Sequence, residues 1–382
     1  MRAYEYKLRP NQKQSKELDR LLWETKNLYN NGLDQLINHY KKTGKHLNRY
    51  AHDRMWNKET CPQLPAVLVD TTIARLHQSF ANFFRGIREG KRVGFPRFKS
   101  INRWSSFAFR DYKSGGKIVD GKWRLNPKNK IKVILHRQFE GNPKFTRLVK
   151  RADGYYVQIV CEVAKVEPKK LDLNKSVGLD LGLRYFVADS NGETIKAPQF
   201  FRKSEYKLAK QQRQLSKKKK GGENRGKARK LVAKTHLTIS RQRKDFLHKT
   251  AFKYAKENDL VCMEKLSVNS MVKNRHLAKS ISDAGWIMFQ NLLADKLEKL
   301  GKKLILVNPY YTSQICSQCG AIVKKSLSQR THYCSECLFV SDRDINAGKN
   351  ILARGLGSVR AFGEDNSMEC PVNQEAHGFI RG

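Results

Sequence analysis

Two cysteine pairs in the last seventy residues constrain this chain more than any other feature. Cys316-Ser-Gln-Cys319 is followed, after fourteen residues, by Cys334-Ser-Glu-Cys337, and Asp344 comes seven residues later. Each CxxC turn aims two thiolates at one point, and four thiolates close a tetrahedral site with no open position for catalysis. Four unrelated core cysteines would rarely fall in this pattern. One structural zinc is therefore expected, and the chemistry has to lie elsewhere.

The charge says what such a chain touches. Lys and Arg total 76 against 35 Asp and Glu, a formal net charge of +41 on 382 residues, far beyond what solubility needs. A polyanion is the expected partner. The chain carries no apolar run of about 18 residues and no charged-then-apolar leader, so neither membrane insertion nor export is expected and nucleic acid is preferred to a lipid surface. Cys61, Cys161, Cys262 and Cys370 are scattered without framework spacing, which fits a reducing cytoplasm.

The texture changes near residue 170, giving two halves and a tail. A short alternating segment, Tyr4 to Leu8, is stopped by Pro10. Helical periodicity follows over about residues 11–92: Leu18, Leu21, Leu22, Leu28, Tyr29, Leu33, Leu36, Ile37 and Tyr40, then Ile73, Leu76, Phe80, Phe83, Phe84 and Ile87. Short strands punctuated by Asp120-Gly121 and Asp153-Gly154 complete residues 1–170, which reads as an antiparallel barrel carrying a helical insertion. Arg97, Lys99 and Trp104 are candidates for tracking phosphates and stacking bases, although any one aromatic is more often core.

Residues 171–353 read as strands, a hairpin and helices in the order of a mixed sheet covered by helices. Val177, Leu179 and Leu181 share one face of a strand, and Asp180 points from the other between Gly178 and Gly182. Leu260 to Glu264 is an apolar strand ending in an acid. An amphipathic helix bearing Trp286, Phe289, Leu293, Leu297 and Leu300 precedes the strand Leu304 to Val307, the cysteine cassette interrupts at about 309–340, and Asp344 opens a last helix. Each acid has a plain structural alternative: Asp180 in a turn, Glu264 paired with Lys265, Asp344 as a helix cap. Together, acids at strand ends and a helix start suit two hard divalent ions, and two magnesium ions would support in-line phosphodiester displacement.

Four motifs make a resemblance specific. Gly178-Leu-Asp-Leu-Gly182, Met263-Glu-Lys-Leu266, Asn308-Pro-Tyr-Tyr-Thr-Ser-Gln-Ile-Cys-Ser-Gln-Cys-Gly320 and Asp342-Arg-Asp-Ile-Asn-Ala-Gly-Lys-Asn-Ile-Leu352 resemble the RuvC-like nuclease motifs and zinc ribbon of the TnpB (OrfB) family. These are insertion-sequence proteins related to type V CRISPR effectors. Tyr6-Lys-Leu-Arg-Pro10 and Gly94-Phe-Pro-Arg-Phe-Lys99 resemble the same family.

The resemblance implies an RNase H-like mixed sheet with an inserted zinc ribbon, preceded by a wedge-like barrel. It also implies an RNA-guided DNA endonuclease of a transposable element, in which one chain binds a guide RNA from the element's end and cuts double-stranded DNA beside a short adjacent motif. The implied catalytic acids are Asp180, Glu264 and Asp344, with Asp342 a near rival for the third. Arg330 would stabilise transition-state charge or serve as a surface phosphate contact. Arg75 and Gln78, on polar positions of the second helix, are candidates for reading the adjacent motif. Leu338 replaces the glycine usual after the second CxxC, and Gly348 the commoner alanine, which bears on local turn and helix geometry.

Between Arg202 and Lys234 there are 14 Lys or Arg against two Glu. A basic helical hairpin over 201–257, with Leu208, Leu215, Leu231 and Ile239 as a sparse apolar face and Lys217, Lys218, Lys219 and Lys220 at its turn, would line a guide–target channel through backbone contacts. Residues 354–382 read as a flexible tail, in which Cys370 and His377 make no metal site. Two other functions share these features: a transposase joining strands with the same acids, and a catalytically silent guide-bound repressor, which loss of an acid would mark.

Overall fold

The computed structural model describes residues 1–361 apart from 57, 58, 114, 127, 128 and 327. Cys370, His377 and most of the expected tail lie outside the described residues. The chain divides after Ala164.

The first unit comprises β1 (Arg2–Arg9), α1 (Gln12–Thr43), α2 (Arg49–Arg54), α3 (Ala66–Arg88), β2 (Ser106–Phe109), β3 (Ile118–Val119), β4 (Lys122–Asn126), β5 (Asn129–Ile134), β6 (Asn142–Arg151) and β7 (Gly154–Glu162). Its seven strands pair antiparallel in the order β2-β6-β7-β1-β5-β4-β3. Alternation in β1 buries Tyr4, Tyr6 and Leu8 on one face, with Tyr6 opposite Val157 and Leu8 opposite Val133. Asp120 and Gly121 have φ of 49° and 67°, the double positive φ of a tight hairpin turn.

No strand pair joins β2 to β3 among the described residues. The loop between them spans the gap instead, with Tyr112 N–H donating to Lys144 O at 2.8 Å on β6 and Gly116 N–H donating to Arg124 O at 3.1 Å on β4. The expected barrel is thus an open sheet bridged by a loop. Its helical insertion begins at an Asn11–Gln14 capping box and packs α1 on α3 through Leu18, Leu21, Leu33, Ile73 and Leu76. Tyr40, Phe84 and Ile87, expected on the buried faces, are exposed because the helices run past that shared core.

The second unit holds β8 (Ser176–Asp180), β9 (Tyr185–Asp189), β10 (Thr194–Lys196), α4 (Phe200–Ser216), α5 (Glu223–Glu257), β11 (Leu260–Glu264), α6 (Val268–Met271), α7 (Ala278–Ala284), α8 (Trp286–Glu298), β12 (Lys303–Val307), β13 (Thr331–Tyr333), β14 (Val340–Asp342) and α9 (Arg343–Ala361). Its main sheet runs β10-β9-β8-β11-β12, with β8, β11 and β12 parallel and β9 and β10 antiparallel. Parallel strands need crossovers and so become covered on both faces. Val261 and Met263 accordingly pack with Leu247, Phe289 and Leu293 of α5 and α8, while Leu260 and Cys262 pack with Ile351 of α9.

Three expectations are corrected here. Leu300 lies beyond the end of α8 and is exposed, as is Leu231, which points away from the α4–α5 contact built on Leu208 and Ile239. The flexible tail does not start at 354, because Leu356 and Val359 still find apolar partners on the sheet and α9 continues to Ala361.

Candidate active site and metal centre

Strand parity brings two acids together. Val177 and Leu179 face α5 and α8, so Gly178 and Asp180 face α9; on β11 the same alternation puts Cys262 and Glu264 on the α9 side. Leu179 is level with Met263 in the parallel ladder, which leaves Asp180 and Glu264 side by side at the carboxyl ends of adjacent strands. α9 supplies the third acid from its first turn. Asp342 does different work: its Oδ1 accepts the Asp344 N–H at 2.8 Å.

The electrostatics reflect this crowding. Burial, followed by the charges of Glu264 and Asp344, pushes the Asp180 carboxyl well above the usual carboxylate range. Burial also raises Glu264, opposed by a hydrogen bond from the Thr312 hydroxyl and by the charge of Arg354. Asp344 is paired with Arg343 at 3.3 Å and approached by Arg330 at 3.9 Å. Clustered carboxylates that burden one another in this way are relieved by a divalent cation, and their hard oxygen donors suit magnesium.

Among the described residues, the donors gathered closely enough to hold one metal ion are the four ribbon cysteines. The Sγ atoms of Cys316, Cys319, Cys334 and Cys337 all lie within 4.8 Å of one another, with 3.6 Å between Cys316 and Cys337 and between Cys319 and Cys334. Four sulfurs each about 2.3 Å from one zinc in a tetrahedron stand about 3.8 Å apart, so the donor set fits that ion. Gly320 and Leu338, each following a CxxC pair, both have positive φ, at 81° and 58°. The usual glycine is thus replaced by a residue that pays for the same backbone conformation in strain.

Residues that sequence reasoning passed over lock the ribbon to the acids. Asn346 and Asn350, one turn apart on α9, reach the first cysteine turn: Asn346 Oδ1 accepts Ser317 N–H at 3.0 Å, and both side-chain amides donate to Ile315 O, at 2.8 and 2.7 Å. Asn350 also donates to Thr312 O at 2.8 Å, and Thr312 in turn holds Glu264. The available signal was two asparagines spaced i, i+4 on a helix face otherwise made of Ala, Gly and Ile.

The other candidates separate into committed and exposed groups. Trp104 is core, 2% exposed, with its indole donating to Thr25 Oγ1 at 2.9 Å. Arg75 lies 4.2 Å over the Trp104 ring and donates to Ser106 O at 3.1 Å, so its guanidinium is used inside the unit, and Gln78 donates to Asn82. The Lys99 backbone is clamped by the one side-chain amide of Asn30, whose Nδ2 donates to Lys99 O at 2.9 Å and whose Oδ1 accepts Lys99 N–H at 2.8 Å, while Arg97 is exposed. Lys217 to Lys220 are exposed at the α4–α5 turn, which Arg225 staples through Leu215 O and Lys218 O.

The second unit is thus a mixed five-stranded sheet with acids at its parallel strand ends and a cysteine ribbon inserted before its last helix. A solved Cas12f1–sgRNA–target DNA complex shares the fold at TM-score 0.59 and 16% identity, over 90% of this chain and 83% of that one. The OrfB_IS605 family model, described as a probable transposase, matches residues 158–275, and a model for the Cas12f1-like TNB domain matches 286–351. A Streptomyces pristinaespiralis protein named as a candidate RNA-guided DNA endonuclease is 32% identical over 94% of this chain and 90% of its own length. InsQ of Escherichia coli strain K12, named likewise, is 29% identical over 100% of this chain and 98% of its own. The chain belongs to the TnpB (OrfB) family.

Proposed function

We propose that this protein is an RNA-guided DNA endonuclease of a transposable element, cutting guide-matched double-stranded DNA by metal-dependent hydrolysis. The observation that carries this reading is the placement of Asp180 and Glu264 at neighbouring parallel strand ends with Asp344 over them on α9. Names given to relatives that span nearly the whole chain supply the guide RNA and the DNA target.

The three carboxylates would hold two magnesium ions, which supply an activated water and charge neutralisation at the leaving oxygen. Thr312 fixes the Glu264 carboxylate, and the Asn346–Asn350 pair sets how far α9 projects Asp344. Arg330 stands at the mouth of the cluster, where a cation would meet charge developing on the phosphate. The cysteine ribbon would hold one zinc and fix the strand-to-helix connection. Lys217 to Lys220, with the basic faces of α4 and α5, would follow the guide–target backbone.

The test is cleavage by the full chain purified with co-expressed flanking element RNA, against plasmids carrying the guide match beside randomised neighbours. Magnesium-dependent linearisation only of matched plasmids, lost in Asp180→Ala, supports the reading. Cutting that ignores the guide sinks it, and joined rather than free ends would favour the strand-transfer alternative.

A further inference from the structure

Beside the acids lies a groove that the hydrolytic reading leaves unused. It has a volume of ≈ 660 Å³ and is lined by Val307, Asn308, Tyr310, Tyr311, Arg354 and Ser358 among others. Val307 is the direct ladder partner of Glu264, so the groove opens one strand away from the reacting centre. Tyr310 and Tyr311 are 70% and 57% exposed although they belong to the tightly bonded turn that leads into the cysteine ribbon.

That turn is built to hold them outward. Tyr310 N–H donates to Asn308 Oδ1 at 3.1 Å, Gln314 and Ile315 N–H both donate to Tyr311 O, and Arg354 donates to Asn308 O at 2.7 Å. Tyr311 has φ of 62°, a left-handed conformation that costs a bulky residue roughly 1–2 kcal/mol. Backbone strain, two exposed rings and a lining arginine coincide next to an acid cluster, in a chain of net charge +41.

We propose that Tyr310 and Tyr311 are positioning residues that stack unpaired bases of the DNA strand at the cleavage centre, with Arg354 serving its phosphate. The proposal rests on the nuclease reading above. Aromatic stacking accepts any base, as a guided enzyme requires near its cut, and basic and aromatic groups together are the usual grip on a single strand. Arg354 also links the groove to the chemistry, because its charge acts on Glu264.

The experiment uses the full chain with its RNA, an Asp180→Asn background, and a single-stranded oligonucleotide carrying 2-aminopurine, at salt high enough to suppress backbone binding. Tyr310→Ala and Tyr311→Ala should each raise Kd about ten-fold and abolish 2-aminopurine quenching, while Tyr→Phe should stay within two-fold of the parent. In the active chain the same Ala changes should raise KM more than they lower kcat. Tyr311→Gly, which keeps the backbone conformation, separates loss of the ring from loss of fold. Ala variants that bind and quench like the parent overturn the proposal, and so do Phe variants as impaired as Ala. A chain that stacks the strand but never cuts loses the nuclease reading alone; one that cuts with unaltered KM in the Ala variants loses this inference alone.

Discussion

Gly178 on β8 and Gly348 on α9 meet backbone to backbone: a Cβ on Gly178 would stand 2.1 Å from the Gly348 carbonyl oxygen. This closeness sets the depth of α9, and hence of Asp344, against the strand that carries Asp180. Seven residues on, Gly355 repeats the arrangement, where a Cβ would stand 2.1 Å from Cys262 Sγ.

Gly178→Ala should therefore lift α9 off the sheet. Overpacking against backbone costs about 1–3 kcal/mol, so a melting temperature several degrees lower is expected, together with a loss of cleavage larger than the loss of folded protein. Gly348→Ala should be milder, because its Cβ would meet Asp189 and Ser190 backbone at 3.0 Å and regains about 1 kcal/mol of helix propensity. Thermal unfolding and plasmid cleavage on both variants check the order.

Leu338 predicts a gain. At φ 58° and well exposed, it contributes strain and little packing, so Leu338→Gly should stabilise the ribbon by about 1 kcal/mol. Slower zinc release to a chelator is the expected readout; faster release would show that the Leu338 side chain packs usefully.

Thr312→Val should lower cleavage about ten-fold while leaving the fold intact, since it removes only the hydroxyl that orients Glu264. Asn350→Ala should cost more stability, about 1–3 kcal/mol, because Thr312 O and Ile315 O each lose a donor in a buried place. Comparing kcat with the unfolding midpoint for the two variants distinguishes orientation from anchoring.

The helical insertion should weaken in acid. His52 is fully buried, with Trp56 donating to its Nε2 at 3.2 Å and its Nδ1 2.9 Å from His77 Nε2. Burial holds both imidazoles down at about 4, against about 6.5 when unfolded. A folded-state value below the unfolded one means that the unfolded chain takes up protons first. The stabilisation is full above about pH 6.5 and is lost as pH falls toward 4, up to roughly 3 kcal/mol for His52. Denaturant unfolding at pH 7 and pH 5, with His52→Gln expected to flatten the difference, measures it.

Much of this was legible in the chain because it is local. The cysteine spacing, the glycine-flanked Asp180, the acid ending an apolar strand and the double-positive turn at Asp120-Gly121 each follow from short-range geometry. What escaped depends on distant partners. Trp104 stood as a base-stacking candidate with burial the commoner outcome, and only Thr25 and Arg75 decide it for the core. Gly348 looked like a helix defect until the Asp189–Ser190 backbone proved to pass 3.0 Å from where its Cβ would stand. Thr312 could not be tied to Glu264 from sequence, since 48 residues separate them. The exposed ends of the insertion helices were misread because periodicity records a face and not where its partner stops.

Asp180, Glu264 and Asp344 are proposed to form one metal-dependent site acting on guide-matched DNA. The most direct test is a side-by-side cleavage series on a matched plasmid with the wild type, Asp180→Ala, Glu264→Ala, Asp344→Ala and Asp342→Ala, each co-purified with its RNA and checked for folding. The expected result is loss of magnesium-dependent cutting by at least about a thousand-fold in the first three variants. Asp342→Ala should retain cutting, at a cost near 1 kcal/mol in stability for its lost cap. Wild-type-like cutting by Asp344→Ala, or complete loss confined to Asp342→Ala, would mean that Asp344 is not the third acid of the site.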